Sequence, residues 1–244
     1  MTLAPPAHER GITTLTLDSP ANRNVLSAPL VAALTEALDA CAADENIRAV
    51  VLTHTGNTFC AGADLRAPAD PHAFVALMRR LVTLPKPVVA RVTGHVRAGG
   101  LGLLGSCDIS VAGPDSSFAL TESRLGLAPA VISLPLLPRL DPRAASRYYL
   151  TGERFDATEA ARIGLVSMAA DDVDKALVPV LDGLRRASPQ GLAASKELVT
   201  ATVRETFDQY AEDLIARSAA LFASDEAREG MTAFLERRDP AWLL

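Results

Sequence analysis

The chain has 244 residues, 49% of them hydrophobic, and a formal net charge of −5. This apolar content can bury a sizeable core, in one large domain or in a core with an appendage, and the acidic balance without any Lys/Arg block argues against a nucleic-acid surface. No run approaches the ~20 apolar residues of a membrane span, and the opening "MTLAPPAHERG" has neither the basic start nor the apolar core of a signal peptide, so a cytoplasmic location is expected.

In chain order, "TTLTLD" at 13–18 alternates apolar and polar residues and predicts a strand. An Ala/Leu-rich helix is predicted over 29–41, with Ser27 placed to cap it two residues before Pro29. A strand at 47–53 ("IRAVVLT") leads into the turn-rich "HTGNTFCAGAD" and a helix over about 72–82, which "LPKP" breaks before a strand at 88–92 ("VVARV"). Strand and helix signals alternate through Gly164, which predicts an α/β class. Beyond about 187 only helical runs remain, over 190–222 and 225–237. The expected organisation is therefore a core at 1–187 and a helical region at 188–244, whose apolar positions Leu214, Ile215, Leu221, Phe222, Met231, Phe234 and Leu235 need a surface to cover.

Cys41, Cys60 and Cys107 are far apart and form no CxxC, so reduced, buried thiols are expected; the four histidines have no metal-ligand spacing, and no metal site is expected. "GLGLLG" at 100–105 matches the dinucleotide pattern G-x-G-x-x-G, and Glu122 lies 17 residues beyond it. Residues 93–99 nevertheless separate the glycines from the preceding strand, and only about two helical turns fit before Asp108. A nucleotide site is therefore not the preferred reading.

Two loops follow strands and precede helix-like segments: "FCAGADL" at 59–65 and "RAGGLGLLGSCD" at 97–108. Small residues let backbone N–H groups approach a ligand, and two such loops facing each other could hold one oxygen that becomes anionic. With "SPANRNVLS", "FALTESRLGLAP", "LTGERFDATEAARIGLV" and "FLERRDPAW" in the same order, the chain resembles the crotonase, or enoyl-CoA hydratase/isomerase, superfamily from about residue 11 to 242. The resemblance implies a crotonase-like spiral of ββα units, a C-terminal helical region that docks neighbouring subunits as a trimer or dimer of trimers, and an acyl-CoA thioester substrate whose CoA is the only group of cofactor type. It also implies that the amides of Ala63 and Gly99 receive the thioester oxygen, that Glu122 is the acid/base group, and that Arg23, Val25, Ala61, Asp64 and Leu65 lie on the CoA side. For Asp64 a structural role at a helix start is the favoured expectation.

Familiar family hydratases use two glutamates; aligned on Cys107–Asp108, those positions are Gly102 and Glu122 here, so the first carboxylate is missing. An acid eight residues after Glu122 would suggest a dienoyl-CoA isomerase, but Ala130 stands there. One carboxylate suits a 3,2-enoyl-CoA isomerase simply, whereas "GLAPAVIS" at 126–133 together with Gly102 resembles the bacterial methylglutaconyl-CoA hydratase branch. Hydratase is preferred, with isomerase and a catalytically reduced acyl-CoA binder as alternatives. Cys60 is expected to be a buried thiol rather than a nucleophile, and His95 is considered as a group that could position water.

Overall fold

The structure is a computed structural model that describes residues 2–64, 67 and 69–243. Its strands are β1 (Ala7–Glu9), β2 (Ile12–Leu17), β3 (Ala49–His54), β4 (Thr58–Cys60), β5 (Val88–Val92), β6 (His95–Arg97), β7 (Ile109–Ala112), β8 (Ser117–Ala119), β9 (Phe155–Asp156) and β10 (Met168–Ala169). Its helices are α1 (Ala28–Ala43), α2 (Pro71–Thr83), α3 (Gly99–Gly105), α4 (Ser133–Leu136), α5 (Pro142–Thr151), α6 (Ala157–Arg162), α7 (Val173–Arg186), α8 (Pro189–Val199), α9 (Ala201–Phe222) and α10 (Asp225–Glu236).

Among the described residues, β1-β2-β3-β5-β7-β10 form one sheet and β4-β6-β8-β9 a second. The pairs β2–β3, β3–β5, β5–β7 and β7–β10 are parallel, so each step from β2 to β10 requires a crossover. The crossovers supply the small sheet: β3, β5 and β7 are each followed by a short strand, β4, β6 or β8, before the chain turns helical. This is the α/β spiral of ββα units. Leu15 and Leu17 of β2 are buried while Thr14 and Thr16 stay half-exposed, as alternation predicts, whereas β3 is buried along its whole length because it is central. One face of the large sheet carries the main core with α1 and α2; Val173 and Leu177 of α7 cover Ile12, Val51, Val89 and Val111 on the other.

The predicted strands and helices of the first half appear within a few residues of their expected ends, and Ser27 caps α1, accepting from Leu30 N–H at 3.4 Å. The helical region differs in two ways. The run over 190–222 is broken at Thr200, whose hydroxyl bonds back to the Lys196 carbonyl at 2.7 Å. Lys196 lies one turn before the break. Its ammonium is buried, donates to the Leu81 carbonyl at 2.7 Å and pairs with Asp108 at 2.7 Å, stitching α8 to the first half of the chain. The helical region also packs on its own chain: Val203, Phe207, Ala211 and Ile215 of α9 belong to the main core. Leu214 packs partly against that core, and Phe234 and Leu235 are exposed.

Candidate active site

The first loop is built by a strip of backbone pairing. Asn24 is fully buried and donates to the Thr55 and Thr58 carbonyls at 3.2 and 2.8 Å while accepting the Ser19 N–H at 2.7 Å, so it fixes the segment around it. Beside this pin, Ala61 N–H donates to the Arg23 carbonyl at 3.1 Å and Leu26 N–H donates to the Gly62 carbonyl at 2.8 Å, which continues as a parallel bridge between Leu26 and Ala63. In such a bridge the groups flanking Ala63 pair with Leu26, and the Ala63 N–H itself points to the other side. Gly99 lies on that side.

The approach of the two loops depends on two unusual backbone conformations. Gly62 has φ +93°, and a Cβ there would meet Ala98 Cβ at 2.9 Å and the Arg97 carbonyl at 3.1 Å. Ala98 has φ 46° and ψ −122°, a region that costs a non-glycine residue about 1–3 kcal/mol and that is concentrated at functional sites. It turns the chain so that Gly99 opens α3, and the first N–H of a helix has no acceptor within it. A Cβ on Gly99 would stand 3.7 Å from Ala63 N and 2.7 Å from Leu26 Cδ1. The Ala63 and Gly99 amides therefore share one small region, as an oxyanion hole requires.

The glycines of "GLGLLG" serve close packing. A Cβ at Gly100 would meet the Cys60 carbonyl oxygen at 2.7 Å, so α3 can start only by lying directly on β4. Gly102 settles the missing carboxylate sterically: a Cβ there would meet Ile132 Cγ2 at 2.6 Å and Met78 Sδ at 2.8 Å. Apolar side chains occupy the space that a glutamate would enter.

Glu122 opens a short 3-10 turn, Glu122–Leu125, held between two helices. On one side Ser123 Oγ donates to the Leu150 carbonyl at 3.3 Å and Arg124 Nε to the Thr151 carbonyl at 2.8 Å, both on α5. On the other side α10 presses so close that a Cβ on Gly230 would meet the Leu125 carbonyl at 2.6 Å. The Glu122 Oε2 atom is buried and has no hydrogen-bond partner among the described residues. Burial pushes its carboxyl up to about 7, with only its own backbone N–H opposing. A buried carboxyl poised near neutrality is suited to proton transfer.

Tyr149, reaching over from α5, is raised above the ordinary phenol range, chiefly by burial and in part by the charge of Glu122. Ser133 at the start of α4 hydrogen-bonds it. The Ser133–Tyr149 contact has no signal in the sequence, because a separation of 16 residues fits no periodic pattern.

The remaining expectations divide. Arg23, Val25, Ala61 and Asp64 lie along the same backbone strip as Ala63; Arg23 is exposed, in a left-handed conformation with φ 60°, and Val25, Ala61 and Asp64 are half-buried. Leu65 lies outside the described residues. Cys60 is fully buried and its thiol is pushed up to about 12 by burial, which suits a packing role. His95 does not keep company with Glu122: its Nδ1 is 3.0 Å from Ser117 Oγ, and the charges acting on it are Arg97, Arg154 and Asp115. It opens β6, opposite Thr58 of β4, and its ring meets the Ser117 hydroxyl at the start of β8.

The sequence matches the family described as "Enoyl-CoA hydratase/isomerase" over residues 7–243. A crystal structure of an enoyl-CoA hydratase from Mycobacterium avium is 57% identical, covers 95% of this chain and 94% of that one, and superposes with a TM-score of 0.90. The 2,3-dehydroadipyl-CoA hydratase of Escherichia coli K12 is 31% identical, covering 96% of each chain. The carnitinyl-CoA dehydratase of Salmonella typhimurium is 32% identical over 95% of this chain and 94% of its own.

Proposed function

The chain belongs to the enoyl-CoA hydratase/isomerase family and is an enzyme of the crotonase superfamily, and within that family we propose that it adds water reversibly to a 2-enoyl-CoA, with Glu122 as its single acid/base group. The observation that carries this reading is the buried, unpartnered Glu122 Oε2, whose carboxyl is poised near neutrality.

In the proposed reaction the thioester oxygen accepts from Ala63 and Gly99 N–H. Ionised Glu122 takes a proton from water as the water oxygen bonds to Cβ, and the C=C electron pair moves onto the thioester oxygen as an enolate. The enolate then collapses and Cα takes the proton from Glu122. One water is added, the carboxylate is restored and no oxidation state of a cofactor changes, so the CoA carried by the substrate is the only group of that type the reaction calls for. Arg23, Val25, Ala61, Asp64 and Leu65 are assigned to the CoA side. The names of relatives span different acyl groups, and a methyl-branched enoyl chain is our choice on the strength of "GLAPAVIS".

The apolar filling around Gly102 favours a second reading, a 3,2-enoyl-CoA isomerase, in which one carboxylate moves a proton from C2 to C4. Incubation with straight-chain and methyl-branched 2-enoyl-CoA, with mass analysis of the products, separates the two. Gain of one water is expected; a product of unchanged mass with a shifted double bond would replace hydratase by isomerase, and binding without turnover would leave an acyl-CoA binder. We also propose a homo-oligomer, a trimer or dimer of trimers, because Leu198, Val199, Tyr210, Phe234 and Leu235 are exposed. Light scattering tests this, and a monomer at micromolar concentration overturns it.

A further inference from the structure

A hydratase must hold water in one orientation, and a carboxylate alone leaves that water free to rotate about a single hydrogen bond. The position where a second carboxylate would help is Gly102, and Ile132 and Met78 have closed that space. The second hold on the water must come from elsewhere.

Tyr149 is placed near both groups: Ser133, which bonds it, follows Ile132 at the Gly102 wall, and its own helix α5 is tied to the turn of Glu122. The Ser133 hydroxyl lies 2.6 Å from the Pro129 carbonyl and 3.2 Å from the Tyr149 hydroxyl. A serine has one proton, and the carbonyl, which can only accept, takes it; the Ser133 oxygen is then left to accept from the Tyr149 O–H. With its own proton directed at Ser133, the phenol oxygen presents lone pairs alone. The phenol is also held in place, because α5 is tied to the Glu122 turn through the Leu150 and Thr151 carbonyls. Its neighbour Tyr148 is spent on structure: it donates to Glu159 at 2.7 Å and packs on Phe155 with ring centroids 4.1 Å apart.

We infer that the Tyr149 hydroxyl, anchored by Ser133, accepts one hydrogen bond from the water whose other proton goes to Glu122, so that the water's lone pair is aimed at Cβ. Tyr149 takes no proton in the reaction. Its contribution rests on the hydratase reading above.

The test compares two activities of the full-length enzyme. Hydration of a 2-enoyl-CoA needs the oriented water, whereas exchange of the α-protons of a saturated acyl-CoA in D2O needs only the proposed base Glu122 and the two amides. For Tyr149→Phe, the ratio of hydration to exchange is expected to fall about 10- to 100-fold, the effect of one hydrogen bond at a reacting group. Ser133→Ala should lower the ratio less, and the double variant should be no worse than Tyr149→Phe, because the serine acts only through the phenol. Equal loss of both activities would make Tyr149 a merely structural residue, and an unchanged ratio would remove it from the site. A parent enzyme that exchanges α-protons but hydrates no enoyl-CoA would sink the hydratase reading and this inference with it; a hydrating parent with an indifferent Phe variant would sink the inference alone. If Tyr149→Phe does not fold by circular dichroism, Ser133→Ala decides by the same ratio.

Discussion

Two carboxylates buried in this molecule have opposite surroundings. Asp108, just after α3, lies 2.7 Å from the Lys196 ammonium and accepts the Val88 N–H at 2.7 Å. Burial pushes its carboxyl up, but the cation and the N–H pull it back. Glu122 has no cation acting on it among the described residues, and the same burial leaves its carboxyl up at about 7. Desolvation is common to both, and the presence or absence of a partner sets the role of each. A paired charge joins α8 to the core, and a carboxyl without a cation has the protonation balance that the proposed proton transfer needs.

The comparison breaks most sharply at Glu122. Glu122→Gln keeps the shape and removes the base, so kcat for hydration should fall by about 10²–10⁴-fold with acyl-CoA affinity largely kept, measured by steady-state kinetics and calorimetry. The same logic for the paired site predicts a stability effect. Lys196→Met leaves Asp108 buried without its cation and should cost about 3–5 kcal/mol in urea unfolding, and a second substitution, Asp108→Asn, should recover part of that loss.

A third measurement sharpens the contrast through pH. Because the folded carboxyl of Glu122 is raised from 4.5 to about 7, the native state holds a proton that the unfolded state releases. This contribution is complete below about 4.5 and is lost as pH rises through about 7. Glu122→Gln has no such loss, so at pH 8 it should be more stable than the parent by up to about 3 kcal/mol, with no difference in acid. The same ionisation should make kcat/KM for hydration rise through about pH 7, since the base must be deprotonated.

The smallest expected effect concerns the apolar wall at Gly102. Gly102→Ala drives a methyl against Ile132 and Met78 and should destabilise the fold by about 1–3 kcal/mol. Stability equal to the parent's would mean that the wall yields easily, and that a carboxylate could be restored there.

Much of this molecule was legible from local chemistry. The alternation in β2, the Pro29 and Ser27 helix start and the strand at β5 obey rules that act within a few residues, and the loops at 59–65 and 97–108 announce themselves by their small residues. The resemblance carried by the order of those loops and of "LTES" pointed to Ala63, Gly99 and Glu122 as candidates and to the glycine at 102 as a missing carboxylate. Tertiary packing alone decided the rest, because it joins residues whose separation carries no period. Ile132 fills the space beside Gly102, Ser133 meets Tyr149, Lys196 reaches Asp108, and α10 braces the turn of Glu122. The unusual backbone at Ala98 belongs to the same class: nothing in an alanine predicts φ 46°, and only the approach of Gly62 and Gly99 from two distant loops imposes it. Local sequence determines which groups are available, whereas desolvation and orientation depend on everything packed around them.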